Sequence, residues 1–173
     1  TVWRGYVLPL LARYPGTQIF GWSPLIEHSQ RSSVEAAVRA AGHERFAVLG
    51  RDESGQTYVL EAREIYLPLT FVEPLETNRR VLGLDPLVLE QTAVAARSTR
   101  ESGLPDATRS IRLVQEKGEQ RGVVVYQAVF SAQSDSQSGM ISAVFRMDDV
   151  LHAALSGQVP EGLSVCLLDR SVD

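Results

Sequence analysis

The chain has 173 residues, of which 44% are hydrophobic and 22% charged, and a net charge of -4. That balance is globular and excludes a disordered chain, while the mild acidity excludes the basic face that nucleic-acid binding needs. A single cysteine, Cys166, excludes an intramolecular disulfide; in Ser-Val-Cys-Leu-Leu it reads as a small buried hydrophobe.

Taken in chain order, Trp3, Tyr6, Val7, Leu10, Leu11 and Tyr14 recur at helical spacing, so residues 1–14 read as a helix. Pro9 predicts a kink or a late start, and Pro15-Gly16 ends the helix. Ile19–Trp22 reads as a short strand. Ser32-Ser-Val-Glu35 has the form of a capping box, and the helix it opens runs to Gly42. Phe46–Leu49 and Thr57–Leu60 form a predicted hairpin around the Asp52-Glu-Ser-Gly turn. From Ile65 to Val72, Ile65, Leu67, Leu69 and Phe71 alternate with Tyr66, Thr70 and Val72, the period of one strand with a core-facing side. Asp85-Pro86 starts a predicted helix to about Ser102, with Asp85 as N-cap and Gly103 as its end. Strands are expected at Thr108–Val114, Gly122–Phe130 and Met140–Arg146. A helix from Asp148 to about Ser156 and a strand at Leu163–Leu168 complete the reading.

Helices first, then antiparallel strands flanking one long helix, predict an α+β fold with a mixed or antiparallel sheet and flanking helices. The space between sheet and helix is the natural ligand site. Catalytic chemistry has no visible carrier. His28, His43 and His152 lack metal-ligand spacing to one another or to Cys166, so neither a metal nor a cofactor is expected. No nucleophile elbow, P-loop or dinucleotide fingerprint occurs. Asp52-Glu53 and Asp148-Asp149 fit a turn and a helix N-terminus. No apolar run approaches the roughly 18 residues of a membrane span, and the abrupt helical beginning reads as that of a segment lying between two such spans.

An ordered set of short motifs adds a family. Tyr14-Pro-Gly-Thr-Gln-Ile-Phe-Gly-Trp22 with Pro24, Arg31, Glu35, Tyr66-Leu-Pro, Val72-Glu-Pro74, Asn78, Gly83-Leu-Asp85, Gly103, Ile111-Arg-Leu-Val-Gln115 and Gly122-Val-Val-Val-Tyr126 together resemble the CHASE family. These are extracytoplasmic sensor domains of histidine kinases and diguanylate cyclases, including the cytokinin-binding domain of plant receptors. The resemblance implies a stalk helix followed by two PAS-like modules. Residues 1–14 would end the stalk, 15–146 would form the membrane-distal sensing module, and 147–173 would begin the proximal one.

The same resemblance points to site residues. In the plant receptors an aspartate on the helix after Gly-x-Asp holds the adenine ring; counting back from Gly103 places Thr92 there, a hydroxyl in place of a charged acceptor. Thr92 equally suits a threonine bonded to its own helix backbone. Thr108, Val114 and Tyr126 match further family positions. Val124 shares the strand face of Tyr126, and Leu69 and Phe71 are candidates for a pocket wall, although ordinary core packing would account for all of these apolar positions. Glu73, Asn78 and Asp85 read as turn and capping residues.

The expected function is a non-catalytic, periplasmic ligand-sensing domain of a bacterial inner-membrane receptor. It would take a small molecule, form a homodimer, and relay through flanking transmembrane helices to a kinase or cyclase. The competing expectation is a protein-interaction module whose pocket is filled by Tyr126 and Phe71.

Overall fold

The computed structural model describes residues 2–113, 121–134, 136–155 and 162–168. Helix α1 (Val2–Arg13) starts ahead of Pro9 and carries it inside, rather than starting late. The proline ring presses toward the carbonyl one turn back, which belongs to Gly5, a residue with open space around its Cα. Strand β1 (Thr17–Pro24) then alternates buried and half-buried residues along its length, longer than the four-residue strand expected. Strand β2 (Ile26–Glu27) and a single 3-10 turn (His28–Gln30) lead into α2 (Arg31–Ala40). The reciprocal contact at this start comes from Gln30 Oε1, which accepts the Glu27 N–H at 2.9 Å. Glu35, expected in a capping box with Ser32, is instead turned toward Arg31 and the Val48 N–H.

The predicted hairpin forms as β3 (Leu49–Arg51) and β4 (Thr57–Val59). The single strand expected from Ile65 to Val72 is two: β5 (Ile65–Tyr66) pairs with β2, and β6 (Phe71–Glu73) pairs with β1. Pro68 has no N–H for a ladder, and the Leu67 N–H goes to the Asp85 carboxylate at 3.0 Å, so the chain changes partners there. Helix α3 (Leu75–Asn78) and a second 3-10 turn follow the cis Glu73–Pro74 bond.

Helix α4 spans Glu90–Ser102, so Asp85-Pro86 does not begin it. Residues 85–88 form a turn of their own, in which Asp85 Oδ1 accepts the Leu87 N–H at 2.9 Å. Gly103, left-handed at φ 73°, closes α4 as expected. The segment after it holds two short strands, β7 (Asp106–Ala107) and β8 (Ile111–Arg112), in place of one from Thr108. Long strands β9 (Arg121–Phe130) and β10 (Gln137–Arg146) come next, then α5 (Met147–Leu155). Leu163–Leu168 is not a strand; it is exposed and unpaired among the described residues, and Cys166 is exposed rather than buried.

The main sheet has the order β6-β1-β10-β9-β7, with β8 also on β9, and every one of these pairs is antiparallel. This is the α+β architecture expected. One face carries Ile19, Val72, Val124, Tyr126, Met140 and Val144 into the principal core, with Leu84, Leu87, Ala95 and Ala96 arriving from the loop and α4 above. A smaller core of Ile26, Val48, Leu60 and Tyr66 lies under α2 and the hairpin. The opposite face holds Arg4 of α1 against Glu73 at 3.7 Å, and Gln18 against Asp149 of α5 at 3.2 Å.

Candidate functional site

Strand alternation decides which side chains enter the space between sheet and α4. On β1, Ile19 and Ser23 point in; on β10, Ser142 and Val144; on β9, Val124 and Tyr126. These surround a cavity of about 1050 Å³. Gly21 is needed in this floor, because a Cβ there would lie 2.5 Å from Leu69 Cδ1 and 2.7 Å from Ser142 Oγ. Its missing side chain lets Leu69 fold inward as part of the wall.

The opposite wall is the loop from Val81 to Leu89 and the first turn of α4, with Val81, Leu84, Pro86, Leu89 and Thr92 facing the cavity. Backbone bonds lock this loop. The Leu49 N–H donates to Gly83 O at 2.8 Å, the Gly83 N–H to Leu69 O at 2.8 Å, and the Asp85 N–H to Leu49 O at 3.0 Å. Gly83 has φ +85, and a Cβ on it would meet Ala47 O at 2.1 Å, so the Gly-Leu-Asp motif is a requirement of close backbone approach.

Asp85 is fully buried and each of its oxygens accepts one backbone N–H, from Leu67 and Leu87. Burial pushes its carboxyl above the ordinary value; those two hydrogen bonds and the more distant charge of Arg63 only partly oppose the shift. Beside it, Thr92 donates its hydroxyl to Pro86 O at 3.0 Å and tethers α4 to the turn. The Tyr126 phenol lines the cavity close to the Thr92 hydroxyl. Burial, with the nearby Asp85 charge, raises the phenol so far that it stays protonated, even though the interaction with the Thr92 hydroxyl works the other way.

Among the described residues, the charge in the lining is carried by exposed or half-exposed side chains at the mouth. The hairpin turn from Arg51 to Gly55 reaches over the opening, facing Glu90 and Gln91 of α4 and Arg112 of β8. Asp52 shapes that turn by accepting from Ser54 Oγ at 2.6 Å and the Gln56 N–H at 2.9 Å. The Ser54 hydrogen bond, then that of Gln56, hold its carboxyl below the ordinary range.

The residues expected from sequence are divided by this geometry. Leu69, Thr92, Val124 and Tyr126 face the cavity together. Thr108 does not: its Oγ1 accepts the Val124 N–H at 3.0 Å and its own N–H donates to Val124 O, which fastens it to β9. Phe71 is exposed on the other face of the sheet, opposite Trp22, and takes no part in the wall. Val114 lies outside the described residues. The sequence reading missed Ser23, Ser142, the 51–55 turn, the 81–89 loop and the Ile111–Leu113 edge. Alternation along β1 and β10 could have located the two serines, but nothing local signals that the hairpin crosses the opening.

Sheet, loop and helix together wall a cavity with polar groups inside it, the kind of concavity in which small-molecule sites occur. Among the described residues, no group of three or more His, Cys, Asp or Glu side chains is placed to hold a metal ion. The chain belongs to the CHASE family: the family model for the CHASE domain matches residues 1–173, its whole length. CHASE domains are extracellular sensors of signalling receptors, sensory rather than catalytic, and the α+β fold described above is their PAS-like one. Comparison with curated proteins gave no match. Among the described residues, no helix is long and apolar enough to cross a membrane.

Proposed function

We propose that this domain lies in the periplasm as part of a bacterial inner-membrane receptor and binds a small molecule between the sheet and α4. In this reading it relays the binding through flanking transmembrane helices, as a homodimer, to a cytoplasmic histidine kinase or diguanylate cyclase. Residues 15–146 form the sensing module, α1 ends its stalk, and 147–173 begin the proximal module. The carrying observation is the cavity of about 1050 Å³, which Tyr126 lines without filling and which Phe71 does not enter. That disfavours the competing interaction module with a plugged pocket.

The connection to the helices supports a sensing role. β1 and β10 are neighbours, and they carry both the cavity floor and the two helices: α1 precedes β1 and α5 follows β10. The Arg146 N–H donates to Gly16 O at 2.9 Å, and Gly16 sits against Val150 of α5. A ligand that shifts β1 against β10 therefore alters the relation of α1 to α5. A ligand must distinguish the two arrangements by about 1–3 kcal/mol to switch them usefully.

Thermal denaturation of the purified domain against a panel of metabolites and cytokinins tests this reading. At a hundredfold excess over Kd, a true ligand adds about 2.7 kcal/mol of stability. Val124→Phe, which fills the floor, is expected to remove that gain. A panel without any shift, or a shift that survives in Val124→Phe, would sink the proposal.

A further inference from the structure

We infer that Ser23 and Ser142 form the polar anchor of the cavity, and that the ligand seated on them is uncharged: an apolar body bearing a hydroxyl or carbonyl group. This rests on the ligand-binding reading above and narrows it to a chemical class.

Ser23 carries the inference. It is only 4% exposed, it lines the cavity, and its hydroxyl has no hydrogen-bond partner among the described residues. That hydroxyl is not sealed in the core: it is not one of the fully buried side-chain atoms left unpartnered, so it opens onto the cavity and offers its hydrogen bonds there. Ser142 faces the same space, likewise without a partner among the described residues. The two sit on adjacent strands, since Ser142 pairs with Gly21 and Ser23 with Met140, which makes them diagonal neighbours on one face. Gly21 keeps the space beside Ser142 clear of a side chain. A structural role would have bonded these hydroxyls to the protein. Here they are left to bond what enters the cavity.

The rest of the lining sets the charge. Around the serines stand Ile19, Leu69, Val124 and Val144, with Tyr126 as a neutral phenol. Among the described residues, the charged side chains of the lining are Arg51, Asp52, Glu53, Glu90 and Arg112, all exposed or half-exposed rather than beside the serines. Asp85 is close but turned away, with both oxygens engaged by backbone N–H groups. An ionised group on the serines would lose its water and gain no counter-charge. A neutral group loses less and satisfies both hydroxyls.

The test uses three probes that share one tail: 4-phenyl-1-butanol, 4-phenylbutyrate and 4-phenylbutylammonium, titrated at pH 7 into the isotope-labelled domain and followed by NMR shift perturbation. The alcohol is expected to perturb resonances of β1, β9 and β10 and to bind more than tenfold tighter than either charged congener. Ser23→Ala and Ser142→Ala should each weaken it about three- to tenfold, the range of one neutral hydrogen bond. Their melting temperatures should equal or exceed that of the parent domain, because the hydroxyl removed has no partner in the protein. A charged congener that binds as tightly as the alcohol overturns the inference but leaves ligand binding in the cavity standing. Unchanged affinity for the alcohol in both variants, or marked destabilisation by them, shows the serines not to be the anchor. If none of the three probes perturbs the cavity, the ligand-binding reading falls, and this inference with it.

Discussion

Two carboxylates do the same mechanical job in different parts of the molecule and in opposite electrostatic settings. Asp85 pins the loop above the cavity to the β5–β6 connection through the N–H groups of Leu87 and Leu67. Glu35 pins α2 to the hairpin approach through the Val48 N–H at 3.0 Å. Asp85 is fully buried with no cation in contact among the described residues, and burial raises its pKa. Glu35 is partly exposed, with Arg31 at 3.0 Å and Arg39 at 2.8 Å. Its partial burial is outweighed by the Val48 and Arg31 hydrogen bonds and the arginine charges, so its pKa falls. Backbone N–H donors alone organise a buried loop but do not make a comfortable home for a charge. Paired guanidiniums do: Arg31 from a largely buried position over the Tyr66 ring and Arg39 from a more exposed one.

The sharpest way to break the Asp85 side is to remove its acceptors. Asp85→Ala leaves two buried N–H groups without partners and is expected to cost about 2–5 kcal/mol in denaturant unfolding. Gly83→Ala belongs to the same loop: its φ of +85 and the 2.1 Å approach to Ala47 O predict a loss of about 2–4 kcal/mol. Asp85→Asn is milder, because one oxygen remains to accept; a loss of about 1–3 kcal/mol is expected. Should Asp85→Ala unfold no more easily than the parent domain, the loop is held by other contacts and the comparison fails on that side.

These loop residues also show how much could be read in advance. Gly103 as a helix stop, the hairpin at Asp52 and the alternation of β9 were legible, because each rests on local backbone chemistry. The family motifs were legible as a pattern, but their physical reasons were not. Gly83 is required by Ala47, Tyr66 by the Arg63 N–H it accepts at 2.7 Å, and Asn78 by Pro74 O at 2.8 Å. Asp-Pro has the form of a helix start, yet Asp85 spends one oxygen on Leu67, eighteen residues away, and α4 begins only at Glu90. Phe71 followed the alternation from Leu69 on paper. In the fold the chain changes partner strands between them, so the parity does not carry across. Tertiary hydrogen bonds overrode local period at each of these points.

The Glu35 side is tested by pH, with a smaller effect. Its folded pKa lies below the ordinary 4.5, so its contribution is present above 4.5 and is lost as pH falls through the folded value. Asp85 runs the other way: its folded pKa is raised, so its contribution is full below 3.8 and declines as pH rises toward the folded value. Glu35→Gln keeps an acceptor for Val48 but gives up both ion pairs, and about 0.5–1.5 kcal/mol should be lost at pH 7. Denaturant melts from pH 3 to 7 should then show a shallower acid loss in Glu35→Gln than in the parent domain. Asp85→Asn should show a steeper one, because the component that favours acid is gone. If the two variants change the acid limb in the same direction, the opposed settings of the two carboxylates do not govern stability, and the contrast between them is one of geometry alone.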